Sequence, residues 1–122
     1  MTHVATCHCG ATRLTVARLP ETATTCTCTF CTKRGVLWGY FKPEEVVIQS
    51  DTEGRDYAPS GINHHRFCSK CGCSTWSETP DWTEMDETGE NPAQCIAVNL
   101  WLLDGVDARV LPVETLDGLN QW

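Results

Sequence analysis

Apolar positions along this chain come in short runs, and most of the runs alternate with polar neighbours. Across residues 11–17, Leu14 and Val16 alternate with Arg13 and Thr15, the period of a half-buried strand. Residues 22–29 form a threonine-rich strand that carries Cys26 and Cys28, followed by a short curl ending near Gly35. Val36 to Phe41 is a continuous apolar, aromatic run too short for a helix, which predicts a buried strand. Further strands are expected at residues 46–50, at 55–58 and, as the strongest apolar run, from Cys95 to Leu103. That last strand turns at Asp104-Gly105, and residues 106–113 are expected to pair back along it. Lys42-Pro43-Glu44-Glu45 suits one helical turn with proline at its first position. The pattern predicts a mainly β protein in which Trp38, Tyr40, Phe41, Trp76 and Trp101 lie in the core. With no repeat and no composition break, residues 1–122 are expected to form one domain.

One stretch departs from this texture. Ser77 to Gln94 carries six acidic residues, no basic ones, two prolines and Trp82, and is expected to be a long acidic surface loop. The whole chain has a formal charge of −7. Lys33-Arg34 is the one basic pair near a motif, too little to track a phosphate backbone, so nucleic-acid binding is disfavoured. No apolar stretch approaches the ~20 residues that span a bilayer. The opening Met-Thr-His-Val-Ala-Thr-Cys has neither the basic start nor the apolar run of an export signal. The expected compartment is therefore the reducing cytoplasm, where clustered cysteines bind metal more often than they form disulfides.

Nine cysteines in 122 residues are the chemical feature of this sequence, and seven of them fall into three groups. These are Cys7-His8-Cys9-Gly10, Cys26-Thr27-Cys28-Thr29-Phe30-Cys31 and Cys68-Ser69-Lys70-Cys71-Gly72. Four thiolates close a tetrahedral zinc site, whereas three leave a position open. The simplest partition puts Cys7, Cys9, Cys68 and Cys71 around a structural zinc and Cys26, Cys28 and Cys31 around a second one, two zincs per chain. Gly10 and Gly72 are placed to bend the chain and to offer backbone amides to the first site.

Read with their flanks, these motifs resemble the glutathione-dependent formaldehyde-activating enzyme family, which includes centromere protein V-like members. The matching pieces are Cys7-His-Cys9-Gly10-Ala-Thr-Arg-Leu14, Cys26-Thr-Cys28-Thr-Phe-Cys31-Thr-Lys-Arg-Gly35, Arg66-Phe67-Cys68-Ser-Lys-Cys71-Gly72, Val98-Asn-Leu100 and Leu103-Asp-Gly-Val106. The resemblance implies an Mss4-like β-sandwich with zinc at its periphery, and the three-cysteine site as the catalytic one. The chain departs from the family pattern at Thr27, where a histidine is frequent, at Cys73 after Gly72, and in the length of the acidic stretch.

At the three-cysteine site several readings stand side by side. A second structural zinc would take its fourth ligand from Cys73, Cys95 or a histidine. An open zinc would lower the pKa of a bound thiol and polarise a carbonyl, joining a glutathione-type thiol to an aldehyde or cleaving the carbon–sulfur bond in reverse. Three close thiols without metal are redox-active. The expected function is a carbon–sulfur lyase acting on a thiol–aldehyde adduct, with a non-catalytic zinc-stabilised interaction module as the competing class. A methionine-sulfoxide reductase needs a separate redox cysteine, and Cys95 lacks that context. Of the adjacent His64 and His65, at most one faces the site, and His8 faces solvent. Lys33 and Arg34 flank the site and suit either an anionic substrate or a solvated turn. Cys73 and Cys95 are expected to be small buried groups.

Overall fold

The computed structural model describes residues 2–81 and 93–121. Among these residues ten strands build two sheets. The smaller consists of β1 (His3–Thr6), β2 (Thr12–Val16) and β5 (Val46–Asp51), in the order β1-β2-β5 and antiparallel throughout. The larger contains β3 (Ala23–Cys26), β4 (Trp38–Phe41), β6 (Gly54–Tyr57), β7 (His64–Cys68), β8 (Ser74–Asp81), β9 (Ala93–Asn99) and β10 (Val113–Leu116). Its order is β10-β3-β4-β9-β8-β7-β6, antiparallel except that β10 runs parallel to β3.

Alternation along the strands decides what lies between the sheets. Leu14 and Val16 of β2 and Ala5 of β1 face Phe41 of β4 and Ile96 and Val98 of β9, with Leu100 and Leu103 closing the end of this core. The opposite face of the large sheet carries a second cluster, in which Trp38 and Ala97 pack with Cys26, Cys31 and Val36. Residues 95–99 of β9 are therefore buried on both faces, which is why they read as an unbroken apolar run.

A short helix, α1 (Thr29–Arg34), replaces the expected curl. Its start is capped by the Cys28 sulfur, which accepts the Cys31 N–H, and its end by Gly35, which takes the left-handed conformation (φ 65°) and donates its N–H to the Cys31 carbonyl. β3 consequently stops at Cys26. The Pro43–Glu45 turn is present as expected, as a 3-10 turn with proline at its head.

The remaining differences from the expected pattern have identifiable causes. Residues 77–81 continue β8 and 93–94 begin β9, so part of the anticipated acidic loop is paired strand. The rest of it, with Trp82, lies outside the described residues. β9 ends at Asn99, and a 3-10 turn over Leu100–Leu102 follows. The buried Asn99 side chain causes this stop. Its Oδ1 accepts the N–H groups of Trp101 and Leu37, and its Nδ2 donates to the Ser74 carbonyl at 2.9 Å. Trp101 is turned outward as a result and is 49 % exposed; Tyr40, also expected in the core, is 39 % exposed. Residues 106–113 do not pair back on β9. They pass through a 3-10 turn at Ala108–Val110 and deliver β10 to the free side of β3.

Asn99 ties β9 to the starts of β4 and β8 from a position only 7 % exposed. Replacing it with alanine leaves two amide donors and a carbonyl without partners, so Asn99→Ala is expected to lose about 2–4 kcal/mol. Urea titration checks this as a lower midpoint at unchanged slope.

Candidate metal centres and the face around them

The first cysteine group is assembled from two turns that share one design. Cys7 follows β1, and the chain reverses into β2 through Gly10 (φ 84°), whose N–H is donated to the Cys7 carbonyl. Cys68 ends β7, and the chain reverses into β8 through Gly72 (φ 83°), whose N–H is donated to the Cys68 carbonyl. Both glycines thus hold the turns closed and do not serve the sulfurs. The Cys7 sulfur is served by Thr12, whose backbone N–H lies at 3.3 Å. Beneath this end, Asp51 of β5 accepts Thr12 Oγ1 at 2.9 Å and Arg66 Nη2 at 3.2 Å, which joins the two sheets.

The four sulfurs of Cys7, Cys9, Cys68 and Cys71 lie within 4.8 Å of one another. Cys7–Cys9 and Cys9–Cys68 are 3.7 and 3.6 Å apart. A tetrahedral zinc with bonds of ~2.3 Å requires sulfur–sulfur edges of about 3.8 Å, so this donor set fits a metal. The thiols do not titrate alike. Burial opposes ionisation of Cys71, but the N–H groups of Cys73 and Cys9 and the neighbouring thiols outweigh it and bring the pKa down to about 5. Cys9 receives a hydrogen bond from the Ala11 amide, yet burial and the other three sulfurs push it up to about 11.

The second group sits at the junction of β3 and α1. Cys26 closes the strand, Cys28 caps the helix, and Cys31 lies in its first turn, with the three sulfurs within 4.8 Å of one another. Among the described residues no further histidine, cysteine, aspartate or glutamate joins this set. The two left-over cysteines lie elsewhere: Cys73 is half-buried beyond Cys71, where burial raises its pKa, and Cys95 is buried in β9. Burial pushes the Cys31 thiol up to about 12, against the Trp38 indole N–H, which donates to its sulfur at 3.3 Å. Cys28 moves the other way: burial raises its pKa, but the Cys31 N–H and the adjacent thiols lower it further. Thr27 points away from the sulfurs. Its hydroxyl donates to Asp117 at 3.2 Å and accepts the Leu119 N–H, which docks α2 (Gly118–Gln121) beside the site.

A model of the glutathione-dependent formaldehyde-activating enzyme family matches residues 2–99. The chain belongs to that family. A crystal structure of a Rhodobacter sphaeroides protein is similar at 25 % identity and a TM-score of 0.70, covering 93 % of this chain and 100 % of the other. That neighbour and the two-sheet architecture make the fold of this family member mainly β and Mss4-like, with its cysteine clusters at the periphery. No curated protein matches the chain at a comparable level. Among the described residues no helix is long and apolar enough to cross a membrane.

In this family member the adjacent histidines face opposite sides of the large sheet. His64 pairs with Asp56 at 2.8 Å, away from α1. His65 lies on the α1 side, its ring 3.9 Å from that of Phe30 and its Nδ1 2.8 Å from Ser77 Oγ. Burial, followed by the charge of Arg34, lowers the His65 pKa and favours the neutral imidazole. A register shift between His65 and Phe67 brings both Ser77 and Ser74 of β8 onto this face. His8 is exposed, as expected. Sequence reasoning missed two features: the Trp38 N–H on Cys31, hidden because Trp38 reads as core, and the use of Phe30. The latter becomes visible once residues 29–34 are read as a helix, because Phe30 and Arg34 then share a face.

Two outcomes follow for these clusters. Trp38→Phe keeps the ring but removes the donor from Cys31, and metal affinity of the three-sulfur set is expected to fall about tenfold in chelator competition, with the four-sulfur set unaffected. In metal-stripped protein Cys71 is thiolate at all pH values well above about 5. It is therefore expected to be the first thiol alkylated at pH 6.5, as read by mass spectrometry, and metal protects it.

Proposed function

We propose that this chain is a zinc-dependent carbon–sulfur lyase that makes and breaks the adduct of a glutathione-type thiol with a small aldehyde such as formaldehyde. The observation that carries the reading is the contrast between the two clusters: four sulfurs in one, and three in the other with no fourth donor among the described residues. A closed set suits a structural zinc and an open one a catalytic zinc. On this reading Cys7, Cys9, Cys68 and Cys71 hold the structural ion and Cys26, Cys28 and Cys31 the catalytic one, within one domain over residues 1–122. A reducing cytoplasm is the compartment that keeps so many thiols available.

Cys26, Cys28 and Cys31 would hold the zinc, which would supply a Lewis-acid position favouring the thiolate form of an incoming thiol. The protein's own groups do the rest. Trp38 holds Cys31 in orientation and offsets part of its charge through the 3.3 Å hydrogen bond. Cys28, whose sulfur accepts the Cys31 N–H, is the most readily ionised of the three. In the forward direction the thiol gives up its proton, its sulfur bonds to the aldehyde carbon, and the former carbonyl oxygen takes a proton to become a hydroxyl. The neutral His65 imidazole, fixed through Nδ1 by Ser77, keeps its other ring nitrogen to accept or return that proton.

The test combines metal content with turnover. Wild-type protein purified without chelator is expected to contain about two zincs per chain, and Cys28→Ser about one with the fold retained. Exchange between formaldehyde, glutathione and S-hydroxymethylglutathione, followed by NMR, should accelerate with wild type and not with Cys28→Ser. Equal zinc in both proteins, or loss of fold on substitution, would count for an empty or structural second cluster and against the lyase.

A further inference from the structure

Arg34 is held in an unusual setting. Its guanidinium carbon lies 4.9 Å from the ring centre of Phe30, 5.5 Å from that of Tyr57 and 5.8 Å from that of Phe67. Its Nη1 also donates to Ser74 Oγ at 3.4 Å. The rings come from α1, β6 and β7, so three elements fix one cation. The chain has 16 acidic residues against 9 lysines and arginines, yet among the described residues no carboxylate lies within 4.0 Å of Arg34. Arg18, Arg66 and Arg109 each pair with one, while Arg13 and Arg55 donate to the Gln49 amide oxygen and the Gly54 carbonyl.

Aromatic faces hold a guanidinium by its plane and accept little from its N–H edges. An arginine so held has less rotamer freedom left to lose, stays exposed and, among the described residues, has no carboxylate partner. Such a group is a ready receptor for an oxyanion, which it can engage through two parallel hydrogen bonds. Arg34 stands three residues beyond Cys31 on α1, a rise of about 4.5 Å. A ligand with its sulfur at the three-cysteine cluster and a carboxylate a few bonds away can therefore reach both.

We infer that Arg34 is the carboxylate anchor for the thiol substrate, and that its aromatic cradle makes the site select carboxylate-bearing thiols over neutral ones. This rests on the reading of the three-cysteine cluster as a thiol-binding metal centre. It assigns substrate discrimination to a residue outside that cluster.

The test uses cobalt in place of zinc, so that a thiol entering the centre is read from the visible absorption and no turnover is needed. The probes are glutathione and its diethyl ester, which has the same thiol without the carboxylates. Wild type is expected to bind glutathione at least about tenfold more tightly than the ester, the size of one hydrogen-bonded charge pair. Arg34→Gln should remove that advantage and leave the affinity for the ester unchanged, and Arg34→Lys should restore part of it. Equal affinity of wild type for the two probes overturns the inference, and this arm needs no variant to fold. An equal loss for both probes in Arg34→Gln also overturns it, because the residue then only supports α1. If neither probe alters the wild-type spectrum, the thiol-binding reading falls first and this inference with it.

Discussion

The rest of the structure depends on four sulfur atoms meeting at one corner. Cys7 and Cys9 arrive on the turn of the small sheet, Cys68 and Cys71 on a turn of the large one, and both turns are closed by a glycine bonded back to the first cysteine's carbonyl. Two sheets that share only a modest core are easily sheared past each other. A metal held by all four would remove that freedom, and the Thr12–Asp51–Arg66 chain of hydrogen bonds immediately below already makes the connection in polar form. Small β domains need such a fastening because their apolar interior alone gives little surplus stability.

The second cluster differs because of where it sits. All three of its sulfurs come from six consecutive residues at a strand-to-helix junction, so it joins no distant parts of the chain. Its neighbours are specialised: an indole N–H on one sulfur, a backbone amide on each of the others, and a buried aromatic floor. An arrangement that joins no distant segments through its sulfurs, yet surrounds three ionisable atoms with donors, supports the proposed chemical role.

Much of this was legible in the sequence. Cysteine spacing is a local property of turns, so the two groups are separable from spacing alone, and the period-two pattern of Leu14 and Val16 marks the inward face of β2. What escaped was decided at a distance. Residues 29–34 are too short and too rich in threonine to announce a helix, and a cysteine cap and Gly35 make them one. Asn99 reads as one polar residue inside an apolar run, but its partners, Leu37 and Ser74, lie 62 and 25 positions away. Nothing in Val113–Leu116 reveals that its partner is β3. Arg34 and Phe30 were visible as residue types, while Tyr57, Phe67 and Ser74 join them only through the order of the sheet.

The parallel pairing of β10 with β3 sets an order of events during synthesis. All four thiols of the corner cluster have been made once Cys71 has been added, so a metal can lock that corner while the chain is still growing. Cys26, Cys28 and Cys31 appear earlier, but their supporting strand lacks its outer neighbour until Val113–Leu116 has left the ribosome, and Thr27 waits for Asp117. The residues of the corner cluster are thus complete before the strand that frames the proposed reactive centre has been made.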